Sequence, residues 1–247
     1  MGGINSDTKL MLHCNGSDGS TTFTDQSPSE HGNASVVGSA QVDTGLTDPW
    51  GGNDGVLECQ GSSDYLYFSD SDDWRWMESL LDNWTWGFWL RIGEDRTEDV
   101  IFSQAVDAKN RWMIYLDSNR KLRLYGIYNN SEVITMYAAD AYPISEWHHI
   151  ALVKKANVYA FYLDEDQITY QTTASVMSNL NEALRIGSYK PTSALDFKGN
   201  LDEIILSNSN LFDADPNSDV DDTIVVPTEE YTEDPVVVSR NQAIIIV

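Results

Sequence analysis

The sequence predicts an all-β domain, either a two-sheet sandwich or a barrel. Three observations carry this. Roughly a dozen short apolar or alternating runs are separated by Gly, Asn, Asp and Ser turn chemistry. The chain holds 8 Trp, 12 Tyr and 7 Phe, residues that favour strands and bury large areas. A single segment, Asp73 to Leu81, has helical character, and Asn83 ends it so soon that one turn fits as well as a helix.

The strands follow in order. Lys9 to Cys14 is an apolar run ended by Asn15-Gly16-Ser17-Asp18-Gly19. Val36 to Val42 is short and rich in small residues. Gly55 to Cys59 and Tyr65 to Phe68 flank a Gly/Ser/Asp turn. Trp84 to Arg91 is aromatic and apolar almost throughout, which predicts a central strand covered on both faces. Asp99 to Ser103, Arg111 to Leu116 and Lys121 to Tyr125 come next, the last two joined by Asp117-Ser118-Asn119-Arg120. Lys121, Arg123 and Tyr125 alternate with Leu122 and Leu124, so one face there is polar. Val133 to Tyr137, His148 to Lys154, Val158 to Leu163, Leu184 to Gly187 and Gly199 to Ser207 complete the series.

Charge narrows the partners. Lys+Arg number 15 against Asp+Glu 39 in 247 residues, a net charge of −24. A nucleic-acid binder concentrates Lys and Arg on one face, so nucleic acid is excluded as the expected ligand. Docking on an anionic membrane is disfavoured for the same reason. No apolar run approaches the ~18 residues that span a bilayer, so no membrane insertion is expected. The N-terminus, Met1 to Asp7, has neither the basic nor the apolar region of a Sec signal.

Cys14 and Cys59 each end an apolar run. One disulfide between neighbouring strands and two buried free thiols both fit. From Gly199 to Ser239 there is no Lys or Arg, and 11 Asp and Glu fall in the stretch. The division expected is a domain over 1–212 and, over 213–247, an extended acidic linker ending in an apolar tail. Val236, Val237, Val238, Ile244, Ile245 and Ile246 are the β-prone residues of that tail, expected to dock on the domain or on a partner.

Four segments together resemble the laminin G-like group of the concanavalin A-like lectin/glucanase superfamily, the first and third of them in versions like those of phage and marine-virus proteins. They are Leu10-Met11-Leu12-His13-Cys14-Asn15-Gly16 with Phe23-Thr24-Asp25; Gly61 to Leu66; Trp84 to Arg91; and Glu146 to Val153 with Gly199-Asn200-Leu201-Asp202-Glu203-Ile204. The resemblance covers residues 7–211 and implies a jelly-roll sandwich of two antiparallel sheets. One departure is the hairpin at Leu163-Asp164-Glu165, where the family shows Leu-Asp-Gly.

The resemblance also implies chemistry. Members with glucanase activity carry Glu-x-Asp-x-x-Glu on a strand, and no such spacing occurs here, so no enzyme and no catalytic residue is expected. His13, His31, His148 and His149 form no local triad, and the adjacent pair His148-His149 points to opposite faces of its strand. A structural Ca²⁺ often joins the N-terminal strand of such domains to the late Asp. Asn15, Asp18, Asp25 and Asp202 are the corresponding ligand candidates, although Asn15-Gly16 and Asp18-Gly19 also read as plain turns.

Glycan or cell-surface polysaccharide binding is the leading expectation. Trp112, Tyr125, Tyr128 and Tyr189, near turns or polar strand faces, are the candidate platforms. The other reading is an oligomeric virion component held to other virion proteins through the tail, by strand addition. Either reading places the chain on a virion surface or outside a cell.

Overall fold

A computed structural model of the chain describes residues 3–61, 63–94, 96, 98–190 and 195–233. Among these the strands are β1 (Thr8–Leu12), β2 (Ser35–Val37), β3 (Gln41–Asp43), β4 (Val56–Gln60), β5 (Tyr65–Phe68), β6 (Trp84–Arg91), β7 (Asp99–Asp107), β8 (Asn110–Leu116), β9 (Leu122–Tyr128), β10 (Ser131–Tyr137), β11 (His148–Lys155), β12 (Val158–Leu163), β13 (Asp166–Gln167), β14 (Gln171–Thr172), β15 (Leu184–Ile186) and β16 (Lys198–Ser207). They form two antiparallel sheets packed face to face, the sandwich expected. The nine-stranded sheet runs β13-β12-β11-β6-β16-β4-β3, with β1 also on β16 and β14 on β12. The seven-stranded sheet runs β10-β9-β8-β7-β15-β5-β2.

The core between them is aromatic. Trp86 of β6 meets Phe102 of β7 at 4.9 Å and Trp112 of β8 at 5.6 Å between ring centroids. Trp76 closes the same cluster, edge-on to Trp112 at 5.2 Å. The helix expected over Asp73–Leu81 is a 3₁₀ turn at Asp72–Trp74, capped by the Ser71 hydroxyl. Trp74 and Trp76 are both buried, and residues two apart cannot share one face of an α-helix. The segment unwinds to bury both rings.

Two other local expectations change. Val36 to Val42 is not one strand, because β2 and β3 belong to different sheets. Between them Gly38 takes φ +70°, where a Cβ would collide with Asp64. At the hairpin lacking its glycine, Asp164 carries the left-handed conformation, φ +54°. Its carboxylate offsets the strain by accepting from the His149 amide at 2.9 Å and bonding His148 Nδ1 at 2.8 Å. Cys14 and Cys59 are both free and buried, and burial pushes both thiols up.

The outward face of the nine-stranded sheet is also apolar. Met11, Ala151, Val153, Ala160, Tyr162 and Ile205 form a second core there with Leu211, Phe212, Ala214, Ile224 and Tyr231. The stretch expected to be an acidic linker therefore lies on the domain as a third layer over 213–233. Most of its carboxylates stay exposed, Asp222 and Glu230 turn towards the domain, and widely spaced apolar residues point in. It is also pinned by polar bonds: Tyr162 Oη to Asp222 at 2.6 Å, the Ile224 amide to the Glu165 carbonyl at 2.9 Å, and Lys155 to Asp215 at 2.8 Å. The tail residues Val236, Val237, Val238, Ile244, Ile245 and Ile246 lie outside the described residues. No helix among the described residues is long and apolar enough to cross a membrane.

His149 sits under this layer, fully buried, with Trp89 at 5.4 Å and Phe212 at 5.3 Å. Neither ring nitrogen has a hydrogen-bond partner among the described residues. Burial lowers its pKa to about 3, against a weak opposing pull from Asp164.

Two outcomes follow. A chain ending at Phe212 loses the buried Ile224 and Tyr231 and exposes their neighbours. Its urea midpoint should fall by the equivalent of about 3–6 kcal/mol, and an unchanged midpoint would contradict the docked layer. For His149, the unfolded state binds a proton below pH 6.5 while the native state does not. Its contribution is complete above 6.5 and declines by about 1.4 kcal/mol per pH unit as pH falls towards 3. His149→Phe should shift the stability–pH curve by that one-proton slope, measured by denaturation between pH 4 and 8.

Candidate functional site

β1 and β16 pair with Leu12 opposite Ile204, so the next residues outward, His13 and Glu203, face each other. Their side chains meet, His13 Nδ1 to Glu203 Oε1 at 2.5 Å. Glu203 takes φ +47° at a bulge where β16 slips against β6 between Asp202 and Ile205. A bulge breaks strict alternation, and here it leaves two successive carboxylates, Asp202 and Glu203, both buried.

The third layer adds a further acid. The Tyr231 amide donates to Glu203 Oε2 at 2.7 Å, and this anchor sets Glu230 beside the pair. Donor atoms of His13, Glu203 and Glu230 all lie within 4.8 Å of one another. Asn15 Nδ2 donates to Glu230 Oε1 at 2.7 Å. From the β3–β4 loop comes Asp48, buried, whose Oδ1 accepts from the Trp50 and Gly52 amides at 2.8 and 2.9 Å.

The electrostatics are one-sided. Asp202 is held well above the usual carboxylate range by burial first, then by Glu203, with Asp48 and Glu230 adding to it. Burial also raises Glu203, against the hydrogen bond and charge of His13. His13 is raised because the bond and charge of Glu203, with Glu230, outweigh its own burial. A bound cation would remove the repulsion that makes these acids hard to ionise. The group can hold a metal ion through carboxylate oxygens and one imidazole nitrogen.

The expected ligands divide. Asn15 and Asp202 belong to this neighbourhood. Asp25 does not supply an open ligand: its Oδ1 accepts from the Met11 and Ser27 amides, and its Oδ2 from the Ser27 hydroxyl and His31 amide. Those four bonds fill its acceptor sites. Asp18 holds the Thr44 amide at 3.2 Å. The donor atoms that gather here are instead those of His13, Glu203 and Glu230, with Asp48 close enough to act on Asp202 by its charge. Glu203 stands in the fourth motif, but nothing local in the sequence marks Glu230 or Asp48.

The expected aromatic platforms divide as well. Trp112 is 1% exposed and donates from Nε1 to Gln104 Oε1 at 3.0 Å, so it is core and no platform. Tyr128 packs against the inter-sheet core. Tyr189 is buried over Val100, Ala105 and Met113. Tyr125 is half-buried on the outward face of the seven-stranded sheet. Tyr65, Tyr67, Tyr115 and Tyr137 share that face, Tyr137 being 58% exposed. None of these four was singled out from the sequence.

With this geometry the chain can be placed among known proteins. A laminin G-type family model of the concanavalin A-like lectin/glucanases superfamily matches residues 60–215, and the chain belongs to that superfamily. Its fold is similar to domain 4 of AbnA, an extracellular GH43 arabinanase from Geobacillus stearothermophilus solved with arabinotriose. The TM-score is 0.59 at 16% identity, over 83% of this chain and 95% of that domain.

It is also similar to the binding domain of botulinum neurotoxin DC solved with SialylT, with TM-score 0.58 and 16% identity, over 83% of this chain and 49% of that one. A third is a Trypanosoma rangeli sialidase, with TM-score 0.55 and 12% identity, over 83% of this chain and 31% of that one. The chain thus spans nearly all of the arabinanase domain and about half or less of the other two. At these identities the likeness is one of fold. No curated protein sequence matches the chain.

The carboxylate group makes a signed forecast. Because the native pKa of Asp202 lies above its unfolded value, its ionisation costs stability increasingly as pH rises above about 4. In chelator at pH 7, Asp202→Asn should therefore melt at a higher temperature than the parent, with the gap closing towards pH 4. A lower melting temperature at pH 7 would refute this electrostatic picture.

Proposed function

We propose that the chain is a non-enzymatic glycan-binding module, with its ligand along the outward face of the seven-stranded sheet and Ca²⁺ organising the His13–Asp202–Glu203 group on the other sheet. The observation that carries this is a row in register across six strands: Thr135, Tyr125, Met113, Ser103, Arg185 and Tyr67. Tyr137, Arg123 and Tyr115 form a second row beside it. Tyr189 and Leu195 cover part of the middle and leave tyrosine platforms on either side. Rings on a rigid sheet, with hydroxyls and guanidinium groups between them, suit the apolar faces and hydroxyl edges of sugars. These rows contain no carboxylate, which supports a binding rather than a hydrolytic role.

The arabinanase domain solved with arabinotriose and the neurotoxin domain solved with SialylT lend the reading support by analogy of fold. An extracellular setting, a virion surface included, belongs to the same proposal. The named neighbours include no viral protein, so the virion part rests on motif likeness. Calcium suits the carboxylate oxygens of Glu203, Glu230 and neighbouring Asp202, while the His13 imidazole beside them also suits a metal such as zinc.

Affinity electrophoresis of the full chain through a panel of neutral and acidic polysaccharides, with and without Ca²⁺, tests the reading. Retardation by at least one glycan is expected. Tyr125→Ala and Tyr137→Ala should each weaken it by roughly two- to tenfold, the size of one aromatic contact. A panel without any retardation, in either condition, would remove sugar binding from the proposal.

A further inference from the structure

The outward face of the seven-stranded sheet carries a pattern of charge as well as of rings. Several cations find a carboxylate: Lys9 meets Asp73, Arg75 meets Asp72, Arg96 meets Asp99 and Lys198 meets Glu94. Arg111 and Arg185 make no such pair among the described residues. Each lies on tyrosine rings instead. The guanidinium carbon of Arg111 is 5.5 Å from the Tyr125 centroid and 5.4 Å from that of Tyr189. That of Arg185 is 5.2 Å from Tyr65 and 5.8 Å from Tyr67. Arg111 gives one bond to the Ala108 carbonyl from Nη1 at 2.8 Å, while its buried Nε has no partner among the described residues.

The register puts both on one surface. Arg185 stands opposite Ser103, which stands opposite Met113, and Arg111 lies two residues from Met113 on β8. Two strand spacings and two residues of rise separate the Arg185 and Arg111 backbones by about 12 Å. A guanidinium stacked on rings has lost water from its faces and keeps its N–H edge for an acceptor. On Arg185 that edge suits a planar carboxylate by two parallel bonds, while Arg111, its Nη1 on the Ala108 carbonyl and its Nε buried, offers Nη2.

We propose that this face recognises a carboxylate-bearing sugar, a uronic acid-type unit in a glycan chain, with Arg111 and Arg185 pairing its acid groups and the adjoining tyrosines packing on its rings. This deepens, and rests on, the sugar-binding reading above. Nucleic acid fits worse, since its dense phosphate charge meets the net −24 of the chain. A uronate chain carries lower charge and offers ring faces that stack on tyrosine. Arg123 is a weaker candidate: it lies over Tyr137 at 5.2 Å but is already paired with Asp117 at 2.7 Å.

The experiment is isothermal titration of the full chain with galacturonate and glucuronate oligosaccharides, each beside its carboxyl-reduced counterpart. Wild type should bind at least one acid form about tenfold more tightly than its reduced form, and more weakly as salt rises. Arg111→Gln and Arg185→Gln, which keep a planar group on the rings, should each cost about tenfold, or 1.4 kcal/mol, with unchanged melting temperatures. Lys155→Gln, an equal charge change on the other sheet, should leave binding unaltered. Equal binding of acid and reduced forms would overturn the acidic-sugar assignment and leave the sugar-binding reading standing. Binding of neutral panel glycans alone would do the same. Failure of every glycan would overturn both. A salt-sensitive dimer broken by Arg111→Gln would assign the face to a second, acidic copy of the chain and overturn the assignment too.

Discussion

The structure depends on one strand that cannot be left with a wet face. β6 sits mid-sheet between β11 and β16, and seven of its eight residues are buried. Trp84, Trp86, Phe88 and Leu90 fill the space between the sheets. Thr85, Gly87 and Trp89 face the other way and need cover too. Gly87 shows how close that cover comes: a Cβ there would lie 3.0 Å from Ile205, 3.2 Å from the Tyr231 hydroxyl and 3.3 Å from Phe212. The hydrophobic effect acts on this area whatever its sequence neighbours are, and the segment after β16 supplies the missing layer.

That cover has an electrostatic consequence. The segment is acidic, so docking it brings carboxylates over a sheet that already buries Asp202 and Glu203. The Tyr231 amide satisfies one Glu203 oxygen, and the same anchor brings Glu230 to His13. The candidate metal group is thus made of three remote pieces: the end of β1, the bulge of β16 and the third layer. An ion held there would tie these pieces together, coupling cation binding to retention of the layer.

The seven-stranded sheet answers a different demand. Its inward face carries Leu, Ile, Trp and Phe, whereas its outward face carries tyrosine, arginine and serine. Such a surface is half-buried by its own ring–guanidinium contacts and is covered only over Val100, Ala105 and Met113, by Tyr189 and Leu195. Among the described residues one sheet is covered throughout its centre by a third layer, while the other is covered only in its middle. This asymmetry supports the proposed recognition of an extended chain of sugars.

Much of the fold was legible in the sequence. Period-two alternation, apolar runs and turn residues placed the main strands within a few residues, and the nearly all-apolar run of β6 announced that both its faces would be covered. These are local properties, set by the backbone's two-residue repeat and the φ preferences of turn residues. The unwound segment that holds Trp74 and Trp76, the split of Val36–Val42 between sheets and the burial of Trp112 were not legible, because each was decided by the space left between packed sheets. The candidate site was half legible. Asp202 and Asn15 stood in recognisable motifs, and Tyr125 on an alternating strand. Asp25 was occupied by its own loop, while Glu230 and Asp48 gained meaning only through contacts with residues remote in the chain. What the sequence alone determined is the strand content, the sandwich and the excess of negative charge. Which charges are brought together, and which rings stay open to solvent, was decided by tertiary structure, because burial and Coulomb energy depend on distances in space.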